Sequence, residues 1–182
     1  MGVSQNWVLA FGISTADELT LARKEYSTLR RKYIVIPQSE SNISNNDKLK
    51  GITPKKMSQV DNPLSLDTES TWSKYFNEQV LRQEILQDVI RTFPSISLFR
   101  EEHVQEPMVT ILTVWSKMYP LISYRQGMHD ILAPVYKVFL ESAIADNNGI
   151  TKLSEDTLST VEKTVAVLFL NIMNSAKYLF VN

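Results

Sequence analysis

The sequence predicts an all-α fold, and three observations lead to that class. Apolar residues recur at three- and four-residue spacing, which is the period of a helix. The clearest such stripe runs from Val104 to Met118. Proline and other turn residues separate the patterned segments, and no convincing series of strands is present. We therefore expect several helices packed around one core.

The first helix is predicted to begin after Thr15, because the run Thr15-Ala16-Asp17-Glu18 matches a capping box. Pro37 ends this segment. Five apolar residues share one helical face: Leu19, Ala22, Tyr26, Leu29 and Tyr33. A solvated surface is favoured over a membrane or partner patch for five basic residues that lie mostly off that face: Arg23, Lys24, Arg30, Arg31 and Lys32.

A long polar loop is predicted over residues 37–69. Serine, asparagine and lysine are frequent there, and four proline or glycine residues interrupt it, so we expect the loop to be mobile. A loop of this length inside a compact domain is often functional or disordered. The chain is therefore divided into an N-terminal helical segment (1–36), this loop (37–69) and a helical core (70–182).

The helical pattern resumes at Ser70. A short helix is expected first, with three aromatic residues on one side: Trp72, Tyr75 and Phe76. A second helix, which Pro94 terminates, is expected to turn four residues inward: Leu81, Ile85, Asp88 and Val89.

Three more helices are predicted after Pro94. The one over Val104–Met118 contains Pro107, which is expected to lie in its first turn or to kink it. Another begins near Met128, tolerates Pro134 near its start, and has five apolar residues on one face: Ile131, Leu132, Val135, Val138 and Phe139. After a turn at 146–149, the last helix has an apolar stripe of its own: Leu158, Val161, Val165, Leu168 and Ile172.

Composition argues against several classes of function. The chain has 182 residues, a formal net charge of −1 and no cysteine, which speaks against nucleic-acid binding, disulfides and cysteine-bound zinc. Its two histidines, His103 and His129, are not at metal-ligand spacing and offer little to a metal hydrolase or a Ser-His-Asp enzyme. The N-terminus does not resemble a signal peptide. The longest apolar run, Val165–Met173, is far below the ~20 residues that span a bilayer, so a cytoplasmic location is expected.

Asp88 and Arg91 are candidate site residues, because their spacing places them on one helical face. An aspartate so placed can hold a guanidinium, whose planar fork matches phosphate oxygens. Near the end of a helix, the arginine side chain can project beyond it. Taken alone, the pair is better interpreted as a surface ion pair of little energetic value.

Gln126 and Gly127 form the second candidate. Glycine permits an unusual backbone angle or the close approach of a partner, and a glutamine amide has both the donor and the acceptor that positioning a water requires. Taken alone, Gln126 is better interpreted as a turn residue that caps the helix beginning near Met128. Tyr124 and Met128 are interpreted as core anchors. His129 is a poor general base, because no nucleophile is organised beside it.

Together, the two segments resemble the signature of the TBC domain, the catalytic module of Rab GTPase-activating proteins. Residues Ile85–Arg91 resemble its Ile-x-x-Asp-x-x-Arg motif, and Tyr124–Met128 resembles its Tyr-x-Gln-Gly-Met motif. The resemblance is clear over residues 62–139. Four further stretches are similar to the subgroup of family member five: Asn62-Pro63-Leu64-Ser65, Trp72 with Phe76, Arg91-Thr92-Phe93-Pro94 and Leu132-Ala133-Pro134.

This resemblance implies the multi-helix orthogonal bundle of the TBC family, with Arg91 as an arginine finger and Gln126 as a glutamine finger. It also implies that both fingers enter the nucleotide site of a Rab-family GTPase. GTP and Mg²⁺ therefore belong to the partner, and the chain is implied to need no cofactor or metal of its own. The other motif residues are implied to support the fingers: Asp88, Ile85, Tyr124, Gly127 and Met128.

The subgroup implies a Rab7-like partner, links to retromer or autophagy proteins, and a peripheral position on endosomal or autophagosomal membranes. Two departures keep an alternative open. No arginine precedes Trp7, where the family opens with arginine followed by tryptophan, and the chain ends at Asn182, before the family's second lobe. We therefore expect a catalytic core that is incomplete at its C-terminus. The presence of both Arg91 and Gln126 favours a GTPase activator. The alternative is a non-catalytic scaffold that binds Rab or trafficking proteins. A generic helical domain with chance matches to the motifs is the third and least favoured hypothesis.

Overall fold

The computed structural model describes residues 13, 15–34, 71–147, 149 and 152–180, without the side chains of 71–75 and 179–180. Trp7, the loop predicted over 37–69 and the Asn62–Ser65 stretch lie outside the described residues. The side chains of Trp72 and Tyr75 do so as well, although the backbone there is helical.

The prediction of an all-α fold is confirmed, since the described residues form helices and no strand. The α-helices are α1 (Ala16–Tyr33), α2 (Thr71–Ile90), α3 (Glu102–Met118), α4 (Met128–Asp146) and α5 (Glu155–Ala176). Short 3₁₀ turns follow at Ser97–Arg100 and Lys177–Phe180. Within the part of the chain that the structure describes, every helix is too short or too polar to cross a bilayer.

Helix α1 begins where the capping box predicted. The Glu18 backbone N–H donates to Thr15 Oγ1 at 3.1 Å, and the Thr15 N–H donates to Glu18 Oε2 at 3.2 Å. These two bonds satisfy amide donors that the helix itself cannot pair. Tyr26 is buried at the middle of the predicted apolar face, and the other four residues of that face pack partly buried against the core.

The basic residues of α1 divide into two groups. Lys24, Arg31 and Lys32 are exposed, as predicted. Arg23 instead donates from Nε to Thr164 Oγ1 at 2.9 Å, and burial lowers its pKa. Arg30 Nε lies 3.2 Å from a Glu162 carboxylate oxygen. Two of the five basic residues therefore attach α1 to α5.

Helix α2 is one continuous helix, and the prediction of two separate helices was wrong. Residues 77–80 contain no glycine or proline, so nothing in the chain interrupts the backbone hydrogen bonds between the two apolar groups. Ile85 and Val89 on its inward face are fully buried. Glu78, also buried, pairs with Lys117 of α3, and Lys117 Nζ donates to the Tyr33 carbonyl oxygen at 2.7 Å. One lysine thus joins α1, α2 and α3.

Helix α3 is the centre of the bundle and contacts each of the other four helices. Every residue from Met108 to Ser116 is buried. The hydroxyls of Thr113 and Ser116 donate to backbone carbonyl oxygens one turn earlier, at 2.7 Å each, which allows these polar residues to lie in the core. Pro107 lies in the second turn of the helix, so the first of its two predicted placements, the first turn, was wrong.

Helices α4 and α5 complete the core. Helix α4 begins at Met128, as predicted, and tolerates Pro134 in its second turn. The predicted turn after α4 includes Gly149, which has φ of +78° and donates its N–H to the Ile144 carbonyl oxygen at 2.9 Å. Helix α5 begins after Ser154, whose hydroxyl accepts from the Thr157 N–H at 3.2 Å.

Two buried tyrosines in this core have different surroundings. The Tyr26 hydroxyl lies 3.1 Å from Glu162 Oε1, to which it donates a hydrogen bond. The Tyr136 hydroxyl is buried with no hydrogen-bond partner among the described residues. Burial raises the pKa of both, so both are protonated at neutral pH.

We expect Tyr26→Phe to lower the free energy of unfolding by about 1.5–3 kcal/mol, the usual net value of one hydrogen bond to a charged group. Tyr136→Phe is the matched control. It removes a buried hydroxyl that has no partner, so stability should stay unchanged or rise. Urea unfolding followed by circular dichroism measures both, and a larger loss in Tyr136→Phe would contradict this assignment of the two hydroxyls.

Candidate functional site

The candidate site is built where α2 ends and α4 begins. Helix α2 ends at Ile90, before the Pro94 stop that the sequence suggested. Its last turn closes with backbone bonds from Arg91 to Asp88 and from Thr92 to Val89, both 3.1 Å. The buried Thr92 hydroxyl adds a bond of 3.2 Å to the Asp88 carbonyl oxygen. These contacts give Arg91 a defined starting point just beyond the helix.

The Arg91 guanidinium is anchored at its base and open at its tip. Its Nε donates to the Gln87 carbonyl oxygen at 3.1 Å, and Nη2 pairs with Asp88 Oδ1. The Arg91 side chain is nevertheless 69% exposed, whereas that of Asp88 is only 10% exposed. The arginine therefore presents charge to solvent from a position that a buried carboxylate holds.

Asp88 is the link between the two sequence motifs. While Oδ1 pairs with Arg91, Oδ2 accepts a hydrogen bond of 2.9 Å from the Tyr124 hydroxyl. A buried carboxylate requires such partners, because an unpaired charge in the core is strongly unfavourable. The structure thus connects Asp88 and Arg91, at the end of α2, to Tyr124 of the loop before α4.

The Tyr124 hydroxyl has a second neighbour that the sequence did not reveal. It lies 2.9 Å from Nδ1 of His129, which is buried in the first turn of α4. Burial, followed by the hydrogen bond to Asp88, raises the pKa of Tyr124, so the phenol stays protonated and can donate. The five-residue spacing of Tyr124 and His129 was visible in the sequence, but no periodic pattern predicts this contact across a loop.

Gln126 is exposed, and no side chain caps the start of α4. The interpretation of Gln126 as a helix cap is therefore not supported, and Gly127 occupies the N-cap position with φ of +97° and ψ of −17°. A Cβ atom built on Gly127 would meet no atom within 4 Å. The glycine is thus required here by the backbone angle and not by lack of space.

The loop around Gln126 is held from both sides. The Met128 N–H donates to the Arg125 carbonyl oxygen at 3.1 Å, and the Arg125 N–H lies 3.4 Å from the Met128 sulfur. The Met128 side chain is fully buried, as is Ile85 on α2, and Tyr124 is 6% exposed. These three residues lie in the core, as the sequence predicted. Gln126 is connected to the hydrogen bonds around Asp88 through Tyr124, two residues before it.

The arrangement presents two functional groups from a fixed base. One is a guanidinium, which can bind phosphate oxygens through two parallel hydrogen bonds. The other is an amide with a donor and an acceptor, which can orient a water molecule. The exposed Arg91 and Gln126 are the tips of this site; Asp88, Tyr124, Met128 and Ile85 form its buried support, with Gly127 setting the turn.

Comparison with known proteins indicates the family of this chain. The model of the Rab-GTPase-TBC domain family matches residues 35–181. TBC1 domain family member 5 homolog A of Dictyostelium discoideum is 31% identical over 156 residues, which cover 79% of this chain and 13% of that protein. Human TBC1 domain family member 5 is 32% identical over 123 residues, which cover 68% of this chain and 14% of that protein.

Two further similarities concern proteins named for GTPase activation. The GTPase-activating protein gyp1 of Schizosaccharomyces pombe is 36% identical over 74 residues, or 41% of this chain and 14% of that protein. The crystal structure of the Ypt/Rab-GAP domain of Gyp1p superposes with a TM-score of 0.67 at 18% identity, covering 98% of this chain and 48% of that chain. The fold is therefore shared, and the chain spans only a minor part of these curated relatives.

We expect Tyr124→Phe to lower the free energy of unfolding by about 1–3 kcal/mol at pH 8, because Asp88 Oδ2 loses its buried donor. Tyr178→Phe, at a tyrosine that is 74% exposed, is the control and should change this value little. Chemical denaturation measures both.

The same variant tests the pKa of Tyr124. A tyrosine in the unfolded chain ionises near pH 10, and the raised pKa in the folded protein means that the folded state holds this proton more tightly. The stabilisation that Tyr124 contributes through this raised pKa is therefore complete below about pH 10 and is lost as pH rises further. Tyr124→Phe should lose stability less steeply than wild type above pH 10, and equal slopes would contradict the raised pKa.

Proposed function

Because this chain belongs to the Rab-GTPase-TBC domain family, we propose that it activates GTP hydrolysis by a Rab-family small GTPase. One observation carries the proposal: an exposed Arg91 guanidinium is held by the buried Asp88, which also binds the hydroxyl of Tyr124 in the Gln126 loop. The reacting GTP and its Mg²⁺ are carried by the partner. This chain contributes side chains in trans and turns over no substrate of its own.

In this proposal Arg91 neutralises the charge that develops on the transferred phosphoryl group. Its planar fork can reach two oxygens at once. The bonds to Asp88 and to the Gln87 carbonyl oxygen orient the side chain before the partner arrives, so less freedom is lost on binding. An arginine supplied in trans to a GTPase is typically worth about 10³–10⁵ in rate.

Gln126 is proposed to orient the attacking water. Its amide can accept a hydrogen bond from the water and donate one to a phosphate oxygen or to the partner's backbone. It lies between Tyr124, which is fixed by Asp88, and Gly127, whose backbone angle starts α4. The backbone on both sides of Gln126 is thus held, so the side chain starts from a defined point, which favours a defined geometry in the complex.

The particular Rab, the further partners and the place of action are also proposed. Similarity to proteins named TBC1 domain family member 5 supports testing first a Rab7-like GTPase, with retromer or autophagy proteins as further partners. The corresponding place of action is the cytoplasmic surface of endosomes or autophagosomes.

We expect Arg91→Ala and Gln126→Ala each to reduce accelerated GTP hydrolysis strongly, by at least about 100-fold for Arg91, while helical content stays unchanged. Single-turnover hydrolysis on a panel of Rab proteins, with excess chain, measures the rate. Arg100→Ala and Gln83→Ala are matched controls, because both residues are exposed and lie outside the two motifs.

The outcomes separate the two candidate functions. Acceleration that vanishes in Arg91→Ala and persists in Arg100→Ala would support the activator. A folded wild-type chain that binds a Rab without accelerating hydrolysis would contradict catalysis by this chain and favour a scaffold.

Asp88→Ala is expected to be milder than Arg91→Ala, because Asp88 orients the guanidinium and does not itself reach the nucleotide. The free Arg91 retains its bond to the Gln87 carbonyl oxygen, so we expect a loss of about 10-fold in rate. The same hydrolysis assay compares the two variants at equal folded fraction. A loss as large as that of Arg91→Ala would show that Asp88 does more than orient.

A further inference from the structure

We propose that His129 is a positioning residue for the site, and that it acts by donating a hydrogen bond from Nδ1 to the Tyr124 oxygen. The inference rests on the proposed function and adds to it a residue that lies outside both sequence motifs. His129 belongs to α4, whereas the carboxylate that holds Arg91 belongs to α2. The Tyr124 hydroxyl lies between them.

The direction of each hydrogen bond follows from counting protons. A carboxylate only accepts, and Asp88 accepts from Arg91 on Oδ1 and from Tyr124 on Oδ2. A phenol has one proton, which Tyr124 uses toward Asp88. The contact of 2.9 Å between the Tyr124 oxygen and His129 Nδ1 is therefore a hydrogen bond only if Nδ1 carries the proton.

The distances place the tyrosine as the intermediary. His129 Nδ1 lies 4.0 Å from Asp88 Oδ2, too far for a direct hydrogen bond, and both lie within 2.9 Å of the Tyr124 oxygen. The other ring nitrogen, Nε2, faces Asp130 Oδ1 at 3.5 Å. The His129 side chain is 9% exposed, so the imidazole has few alternative positions.

The two hydrogen bonds of Tyr124 therefore run in the same direction and end on the Asp88 carboxylate. Nδ1–H of His129 donates to Tyr124, Tyr124 donates to Asp88, and Asp88 receives Arg91 on its other oxygen. Successive hydrogen bonds polarise one another, so the histidine strengthens the tyrosine as a donor. Without it, the hydroxyl keeps only its hydrogen bond to Asp88, and the register between α4 and the end of α2 loosens.

The first test reads the proton directly and does not depend on GTP hydrolysis. Long-range ¹H–¹⁵N NMR of the full chain reports which ring nitrogen of each histidine is protonated. The chain has only two histidines, and His103→Leu assigns the spectrum. We expect a protonated Nδ1 in His129, and a bare Nδ1 with the proton on Nε2 would overturn the proposal.

The second test separates positioning from mere packing. We expect His129→Leu to lower the hydrolysis rate at saturating Rab about tenfold, with KM changed less than twofold, because His129 is buried and does not touch the partner. His129→Asn, whose amide can donate from near the Nδ1 position, should recover most of the rate. In a Tyr124→Phe background, His129→Leu should add no further loss.

The controls distinguish the possible failures. His103→Leu, at the exposed histidine, should leave the rate unchanged, and thermal unfolding confirms that each variant is folded. If Arg91→Ala abolishes acceleration and His129→Leu does not reduce it, the positioning role is overturned while the proposed function stands. If the wild-type chain accelerates no Rab, the proposed function fails and the positioning role fails with it, whatever the NMR result.

Discussion

The buried carboxylate of Asp88 is the constraint on which the rest of the site depends. A charge in the core must be paired, and the two groups that pair it come from different elements: Arg91 from the end of α2 and Tyr124 from the loop before α4. Neither element can shift alone without leaving the carboxylate partly unsatisfied. The electrostatic requirement of one side chain therefore becomes a geometric relation between two exposed residues that are 35 positions apart in sequence, Arg91 and Gln126.

The helical core makes that relation rigid. Helix α3 lies at the centre, and the apolar residues Ile85 and Met128 on either side of the network are fully buried. Interiors packed in this way resist small displacements, because every shift forfeits many contacts. The exposed residues Arg91 and Gln126 are thus supported by buried apolar side chains and by the buried carboxylate of Asp88.

Features that depend on a few neighbouring residues, such as helix starts, could be predicted from the sequence. The capping box at Thr15 and the start of α4 at Met128 were found because caps and apolar period act over a few residues. The two motifs were recognised by resemblance, and the catalytic roles of Arg91 and Gln126 remain predictions. The continuity of α2 is hard to predict because two clusters of apolar residues suggest two helices, although no breaker lies between them.

Contacts between distant segments were not predictable in the same way. The bonds from Arg23 to Thr164 and from Arg30 to Glu162 join residues more than 130 positions apart, and no periodicity in α1 indicates them. The place of His129 beside Tyr124 depends on how the loop folds back, which one sequence does not specify. Long-range polar pairing of this kind is decided by packing, after the helices have formed.

Gly127 shows what kind of requirement the loop imposes. Its backbone lies on the positive side of φ, and the space where a side chain would begin is open. Position 127 therefore requires a residue that can adopt a positive φ, and it does not require a small side chain. A mirror-image alanine, introduced by chemical synthesis, has its own preference for this region of backbone space, so it would hold the junction more firmly than the glycine that merely tolerates it.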